Sequence, residues 1–426
     1  MNLDSDLDVV ASEMFEKMKE SMPKNVDGAK VITSAKKLCP SCGSKGLLLI
    51  YEVRNVPVHS CLMMSTQQEA LRFPRGNIVL AFCGKCGFVS NVAFDPSLLD
   101  YSIAYEDQQC FSSTFNAFAY NLANHLIEKY NLYDKKILEI GCGKGDFLAL
   151  LCELGHNRGV GIDPAIEKQR IQSKASDRLT FIQDYYSERY ANYHGDLVCC
   201  RHTLEHIHNT AGFVSSVRRA IGDRLDTIVF FEVPDVTRIL RELAFWDVYY
   251  EHCSYFSPGS LARLFRSHKF EVIALSRSFD DQYLLIEARP VREASGKVHE
   301  LEESIDEMAK DVRYFTPRCR EKLHQWKNCL QQIEADGKRA VVWGSGSKCV
   351  SFMTTLAIKD EIEHVIDINP YRHGKFLPGA GKKIMPPEFL KEYKPNVTIV
   401  MNPIYCDEIR QMLDDMEVPT EVVPFE

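Results

Sequence analysis

The chain reads as α/β: a doubly wound sheet in its middle, a small cysteine-bearing module in front of it, and a second α/β unit behind. Three observations predict this. Residues 101–290 alternate seven apolar runs with helical segments, the pattern of a mostly parallel sheet wrapped by helices. Two C-x-x-C-G pairs, beginning at Cys39 and Cys83, bracket short β-rich runs ahead of that region. A fresh apolar run ending in Gly-Ser-Gly starts at Arg339, after a long charged stretch. At 426 residues the chain also exceeds what a single core normally serves, so two or three domains are expected.

In order along the chain, residues 1–38 form a leader with a helical apolar pattern (Val9, Val10, Met14, Phe15, Met18) before a polar stretch at 23–28. Residues 39–100 form the module, with β-rich runs at 46–53 and 77–82. The central domain, 101–290, carries its runs at 136–140, 159–162, 179–182, 196–200, 227–233, 270–276 and 282–288. Residues 291–338 are charged, helical in period and without a strand pattern, and read as a helical connector. The last unit runs from 339 to 426. No internal repeat and no low-complexity tract is present.

Composition narrows the function classes. An apolar fraction of 45% and a charged fraction of 26% are those of an ordinary soluble globular protein. The net charge of -8 and the lack of a basic cluster argue against nucleic acid as a partner. The N-terminus is acidic and lacks the parts of a signal peptide, and no stretch approaches the roughly 18 apolar residues that span a bilayer. A cytoplasmic protein without a membrane partner is expected. The 15 cysteines are then better explained by metal binding and burial than by disulfides.

The most informative segment is Ile137-Leu138-Glu139-Ile140-Gly141-Cys142-Gly143-Lys144-Gly145-Asp146, followed about twenty residues on by Gly161-Ile162-Asp163. A buried strand ending in an acid and a glycine turn lets the next helix begin against a ligand, and Asp163 is placed to accept two ribose hydroxyls. These parts fit NAD or S-adenosyl-L-methionine. Glu139 ahead of the first glycine, and the Gly141-x-Gly143-x-Gly145 spacing in place of G-x-G-x-x-G, favour the latter. The segment resembles the first motif of class I S-adenosylmethionine-dependent methyltransferases. Asp184, ending the third run, stands where that fold meets the adenine amino group. His202, after the fourth run, joins the same cofactor set.

Cys39, Cys42, Cys83 and Cys86 have paired ligand spacing, and the glycine after each pair lets backbone amides turn toward the sulfurs. One structural Zn²⁺ is expected. Four thiolates would close its coordination sphere, leaving it no part in the chemistry.

His206 follows the fourth run in Thr203-Leu204-Glu205-His206, in a loop that faces the methyl acceptor at the carboxyl end of the sheet. Past the fifth run comes Trp246-Asp247-Val248-Tyr249-Tyr250-Glu251-His252, unusually rich in groups that move protons or bind hydroxyls for a surface loop. Tyr249, Glu251 and His252 are therefore candidate catalytic residues. Tyr105, ahead of the first strand, is a weaker one.

The whole chain from about residue 39 resembles the three-domain sugar C-methyltransferases, which act on nucleotide-linked 4-keto-deoxyhexoses. The resemblance rests on the two C-x-x-C-G pairs, on Tyr249-Tyr-Glu-His252 and on the C-terminal motifs. It implies a zinc domain, a class I methyltransferase domain and a Rossmann-like domain that helps bind the nucleotide sugar. Tyr249, Glu251 and His252 match the family's Y-x-E-H segment, and His206 its histidine after the fourth strand. Gly344, Gly346 and Lys348 match its later Gly loop, and Asn369 falls in its D-x-x-P segment. A strand, a Gly turn and a Lys or helix N-terminus also make a diphosphate cradle on general grounds. Asp280-Asp281-Gln282-Tyr283 departs from the Gly-rich turn that better-studied sugar enzymes tend to carry there.

Methylating carbon requires a nucleophilic carbon, which a ketone supplies once a base removes the neighbouring proton to give an enolate. His252 and Tyr249 both suit the roles of base and enolate donor, and the sequence does not assign which is which. The same His could deprotonate a hydroxyl in O- or N-methyl transfer to a sugar or other small metabolite. A cofactor-binding protein without catalysis is the remaining reading, opposed by the intact Gly loop, Asp163 and the Tyr/His cluster.

Overall fold

The computed structural model describes residues 37–425, so the helical pattern expected at 9–18 lies outside the described residues. Three sheets carry the fold. The first is antiparallel: β1 (Leu47–Pro57), β2 (Arg75–Cys83) and β3 (Val89–Asn91). Its fourth strand comes from far downstream, with Ser254 and Tyr255 pairing with Ser90 and Val89.

The seven expected runs of the central domain all form strands, within one to two residues of their expected starts and ends. They are β4 (Lys136–Ile140), β5 (Arg158–Ile162), β6 (Leu179–Ile182), β7 (Leu197–Arg201), β8 (Ile228–Pro234), β10 (Phe270–Ser278) and β11 (Tyr283–Pro290), with β9 (Ser254–Tyr255) the strand lent to the first sheet. Their order is β10-β11-β8-β7-β4-β5-β6. Strands β4 to β8 are parallel, and β11 runs antiparallel to both β8 and β10. The order turns at β4 and β7, so their carboxyl ends open a crevice for ligands.

The third sheet is wholly parallel: β12 (Ala340–Trp343), β13 (His364–Ile366), β14 (Lys383–Met385), β15 (Val397–Val400) and β16 (Glu421–Pro424), in the order β14-β13-β12-β15-β16.

The connector differs from its expectation in two ways. Its helix begins only at Ile305 and runs to Ala335, because Glu302 and Glu303 are drawn back onto Arg266 and onto Ser257 Oγ (2.6 Å). Nor is it a mere link. Met308, Val312, Phe315 and Cys319 recur at helical spacing and are buried. They share one core with Ile78 and Leu80 of β2, Phe245 and Trp246 of the central domain, and Val342 and Phe352 of the last unit. No helix among the described residues is long and apolar enough to cross a membrane.

Candidate active site

The four expected metal ligands converge. The sulfurs of Cys39 and Cys86 lie 3.7 Å apart, as do those of Cys42 and Cys83. Zn–S bonds of about 2.3 Å in a tetrahedron place sulfurs about 3.8 Å apart, so the cluster has the size that ion requires. Gly43 and Gly87, both at positive φ, return their N–H groups to the carbonyls of Cys39 and Cys83 at 2.8 and 2.9 Å. None of the cysteines is joined in a disulfide.

At the carboxyl end of β4 the glycine turn opens a cavity of about 1040 Å³ lined by Glu139, Gly141, Gly143, Asp163 and His202. Gly141 has φ 69°, and a Cβ there would stand 1.9 Å from Thr203 Oγ1, so no other residue fits. Asp163 Oδ2 accepts from Gly143 N–H at 2.9 Å and Oδ1 from Ala165 N–H at 2.7 Å, which fixes the carboxylate on the cavity wall. Burial pushes its carboxyl up. Glu139 is 2% exposed, and burial pushes it up to about 8 despite nearby Arg201. Gly145 does not reach the wall; at φ 87° it caps the helix Asp146–Leu154.

Asp184 is a correction. Its carboxylate is held by Arg189, Tyr190 and the N–H of Tyr185, and Tyr185 and Tyr186 line the cavity in its stead.

A second cavity, about 340 Å³, lies between the central domain and the last unit. It meets the first at Tyr105, Asp107, Gln108, Gln109, His202 and His206, which line both. Tyr249 and His252 line it as well, their rings 4.1 Å apart, with His206 4.8 Å from His252. Burial holds the His252 imidazole well below its usual range, helped by His206 and His202; burial raises the Tyr249 phenol. His206 Nδ1 lies 2.7 Å from Tyr101 Oη. His202, at φ 46°, places Nε2 2.7 Å from Glu232. Burial works against its charge, but Glu232 and Glu205 outweigh it and raise the ring to about 9.

Glu251 is a second correction, because it lines neither cavity. It is fully buried, accepts from the N–H and Oγ (2.7 Å) of Ser60, and lies 3.2 Å from His59 Nδ1. Burial disfavours its charge, yet His59 and Ser60 bring its carboxyl down to about 2. Its place is behind the wall, tying the His252 segment to the end of β1.

In the last unit Gly344, Gly346, Lys348 and Asn369 all line the second cavity. Lys348 is not a free cation. Its Nζ bonds Asp247 Oδ2 and Gln282 Oε1, each at 3.0 Å, and burial lowers it. Asn369 donates to Glu106 at 2.9 Å, and Asp367 at the end of β13 is taken by Ser345 and Arg372. Residues the sequence did not single out also appear here. Asp107 is pushed up to about 6, first by burial in the cleft and then by Asp163; Gln282 links Lys348 to Asn402. Only a segment's neighbourhood, such as Asp107 beside Tyr105, hinted at them.

The sheet order and the glycine turn define a class I S-adenosylmethionine-dependent methyltransferase. Residues 115–275 match the model of a methyltransferase domain, and residues 286–420 that of a C-methyltransferase C-terminal domain. C-methyltransferase NovU of Streptomyces niveus is 26% identical over 309 residues, covering 68% of this chain and 71% of that protein. The chain is an S-adenosylmethionine-dependent methyltransferase that carries both matched domains and is similar to the multidomain C-methyltransferases. Solved structures that resemble it include the N,N-8-amino-8-demethyl-D-riboflavin dimethyltransferase of Streptomyces davawensis, 16% identical over 42% of this chain and 56% of that one, TM-score 0.34. Another is the magnesium protoporphyrin IX methyltransferase of Synechocystis PCC 6803, 14% identical over 42% and 80%, TM-score 0.30.

Proposed function

We propose that the protein C-methylates a nucleotide-linked keto-deoxysugar in the cytoplasm, through an enolate. The observation that carries this reading is His252, buried and uncharged beside Tyr249 in the second cavity, with its ring 4.8 Å from that of His206, which lines both cavities. An uncharged imidazole accepts a proton and a protonated phenol donates one, so His252 takes the proton next to the ketone and Tyr249 faces the enolate oxygen. His206, steadied by Tyr101, helps hold the ketone, and Tyr105 closes the wall. S-adenosylmethionine supplies the electrophilic methyl; Asp163 holds its ribose, and the turn from Gly141 to Gly145 lets it approach. Nearness of the two cavities provides much of the rate. The nucleotide would lie along Gly344, Gly346 and Asn369, with Lys348 turning from Asp247 toward phosphate. The Cys39/Cys42/Cys83/Cys86 cluster holds one structural Zn²⁺.

Replacing Asp163 by alanine is expected to weaken S-adenosylmethionine binding about 10–100-fold, since a charge-assisted bond contributes roughly 1.5–3 kcal/mol. Calorimetric titration reads this directly, and unchanged affinity would remove the ribose role. The acceptor class is tested by mass spectrometry on a panel of nucleotide-linked sugars with S-adenosylmethionine. One added methyl is expected on 4-keto-deoxysugars; equal methylation of sugars lacking the ketone would overturn the proposal.

A further inference from the structure

Glu205, His206 and His252 form a cluster that the reaction above leaves partly unexplained. One donor atom from each lies within 4.8 Å of the others, and all three line the second cavity. They come from two loops distant in sequence, brought together as the N–H of Cys253 bonds the carbonyl of Glu205 at 3.0 Å. The carboxylate is the telling member. Glu205 is 1% exposed, and neither oxygen has a hydrogen-bond partner among the described residues. His202 Nδ1 stands 3.4 Å from Oε1, an ion pair without hydrogen-bond geometry, and its charge is shared with Glu232 through its other nitrogen. Oε2 has no partner among the described residues, and leaving a buried carboxylate oxygen so is costly unless a second cation joins it.

The two imidazoles are disposed as ligands are. His206 uses Nδ1 toward Tyr101 Oη, which leaves Nε2 for an ion and orients the ring, as the outer partner of a metal-bound His commonly does. Neither ring nitrogen of His252 has a hydrogen bond among the described residues. We propose that Glu205, His206 and His252 bind a first-row divalent cation of the Zn²⁺, Co²⁺ or Mn²⁺ kind in the wall of the acceptor cavity. Two imidazoles and one carboxylate suit these ions better than Mg²⁺ or Ca²⁺, which prefer all-oxygen sets. The site is separate from the four-cysteine cluster, and three donors leave positions open toward the cavity for an acceptor oxygen. On the reading of His252 as base, a cation and a proton compete for the same lone pair, so occupancy governs when that residue can accept a proton.

The test is a metal count on the full chain with its cysteine-bound zinc in place. Co²⁺ titrated into zinc-loaded protein, followed by calorimetry and elemental analysis after gel filtration, should add one equivalent per chain. Glu205→Gln and His206→Asn should each abolish that equivalent while retaining zinc and the wild-type melting curve. Should Glu205→Gln fail to fold, His252→Asn provides the same comparison. No added equivalent at millimolar Co²⁺, or one that survives in the folded variants, would overturn the proposal. Counting metal needs no acceptor, so such a result would leave the methylation reading standing, and an O-methylated product would leave the count standing.

Discussion

His252→Ala should lower kcat by about 10³-fold, the middle of the range of roughly 10²–10⁴ that a positioned general base contributes. By transition-state arithmetic that is about 4 kcal/mol. The effect should fall on kcat and on kcat/KM alike, because the imidazole accepts its proton only as the reaction proceeds. On the proposed reading, substrate and cofactor are held by the last unit and the glycine turn, which lie on other elements. Steady-state rates with a 4-keto nucleotide sugar, alongside melting curves and zinc content, separate lost chemistry from lost fold. Turnover undiminished in a folded variant would remove His252 from the mechanism.

The second large effect concerns the cysteine cluster. Cys39→Ser/Cys83→Ser protein should lose the zinc proposed at this cluster and melt at a markedly lower temperature, since a structural zinc site contributes on the order of 10 kcal/mol where it has been measured in small domains. The damage should reach the active site. β3 pairs with Ser254 and Tyr255 just after His252, and Ser60, three residues past β1, holds Glu251. Activity and melting temperature should therefore fall together. Elemental analysis decides the ligand assignment: unchanged zinc content would reject it.

Local signals in the sequence carried far. The period of the seven runs located the central sheet because each strand's burial is written in its own residues, Ile137 to Ile140 being all buried. The C-x-x-C-G pairs and the glycine turn were legible because spacing alone prescribes their geometry. What the sequence left obscure depends on partners far along the chain. Glu251 reads as a candidate catalytic residue by type, but Ser60, 191 positions away, holds its carboxylate off the cavity. Asp184 lies two residues past the end of β6, and Arg189 and Tyr190 claim its carboxylate. Lys348 has the type of a phosphate ligand, but the sequence does not reveal that its ammonium rests on Asp247, 101 positions earlier. The helix Ile305–Ala335 reads as a connector because its charged face dominates composition, while its buried stripe has meaning only against the sheets it joins.

The claim that the methyl group goes to carbon is tested most directly by the product's NMR spectrum, with the reaction run in D₂O on a nucleotide-linked 4-keto-deoxysugar. The account predicts a new methyl at a carbon-bound shift and exchange of the proton beside the ketone, slowed together with turnover in His252→Ala. A methyl at an oxygen-bound shift would contradict it.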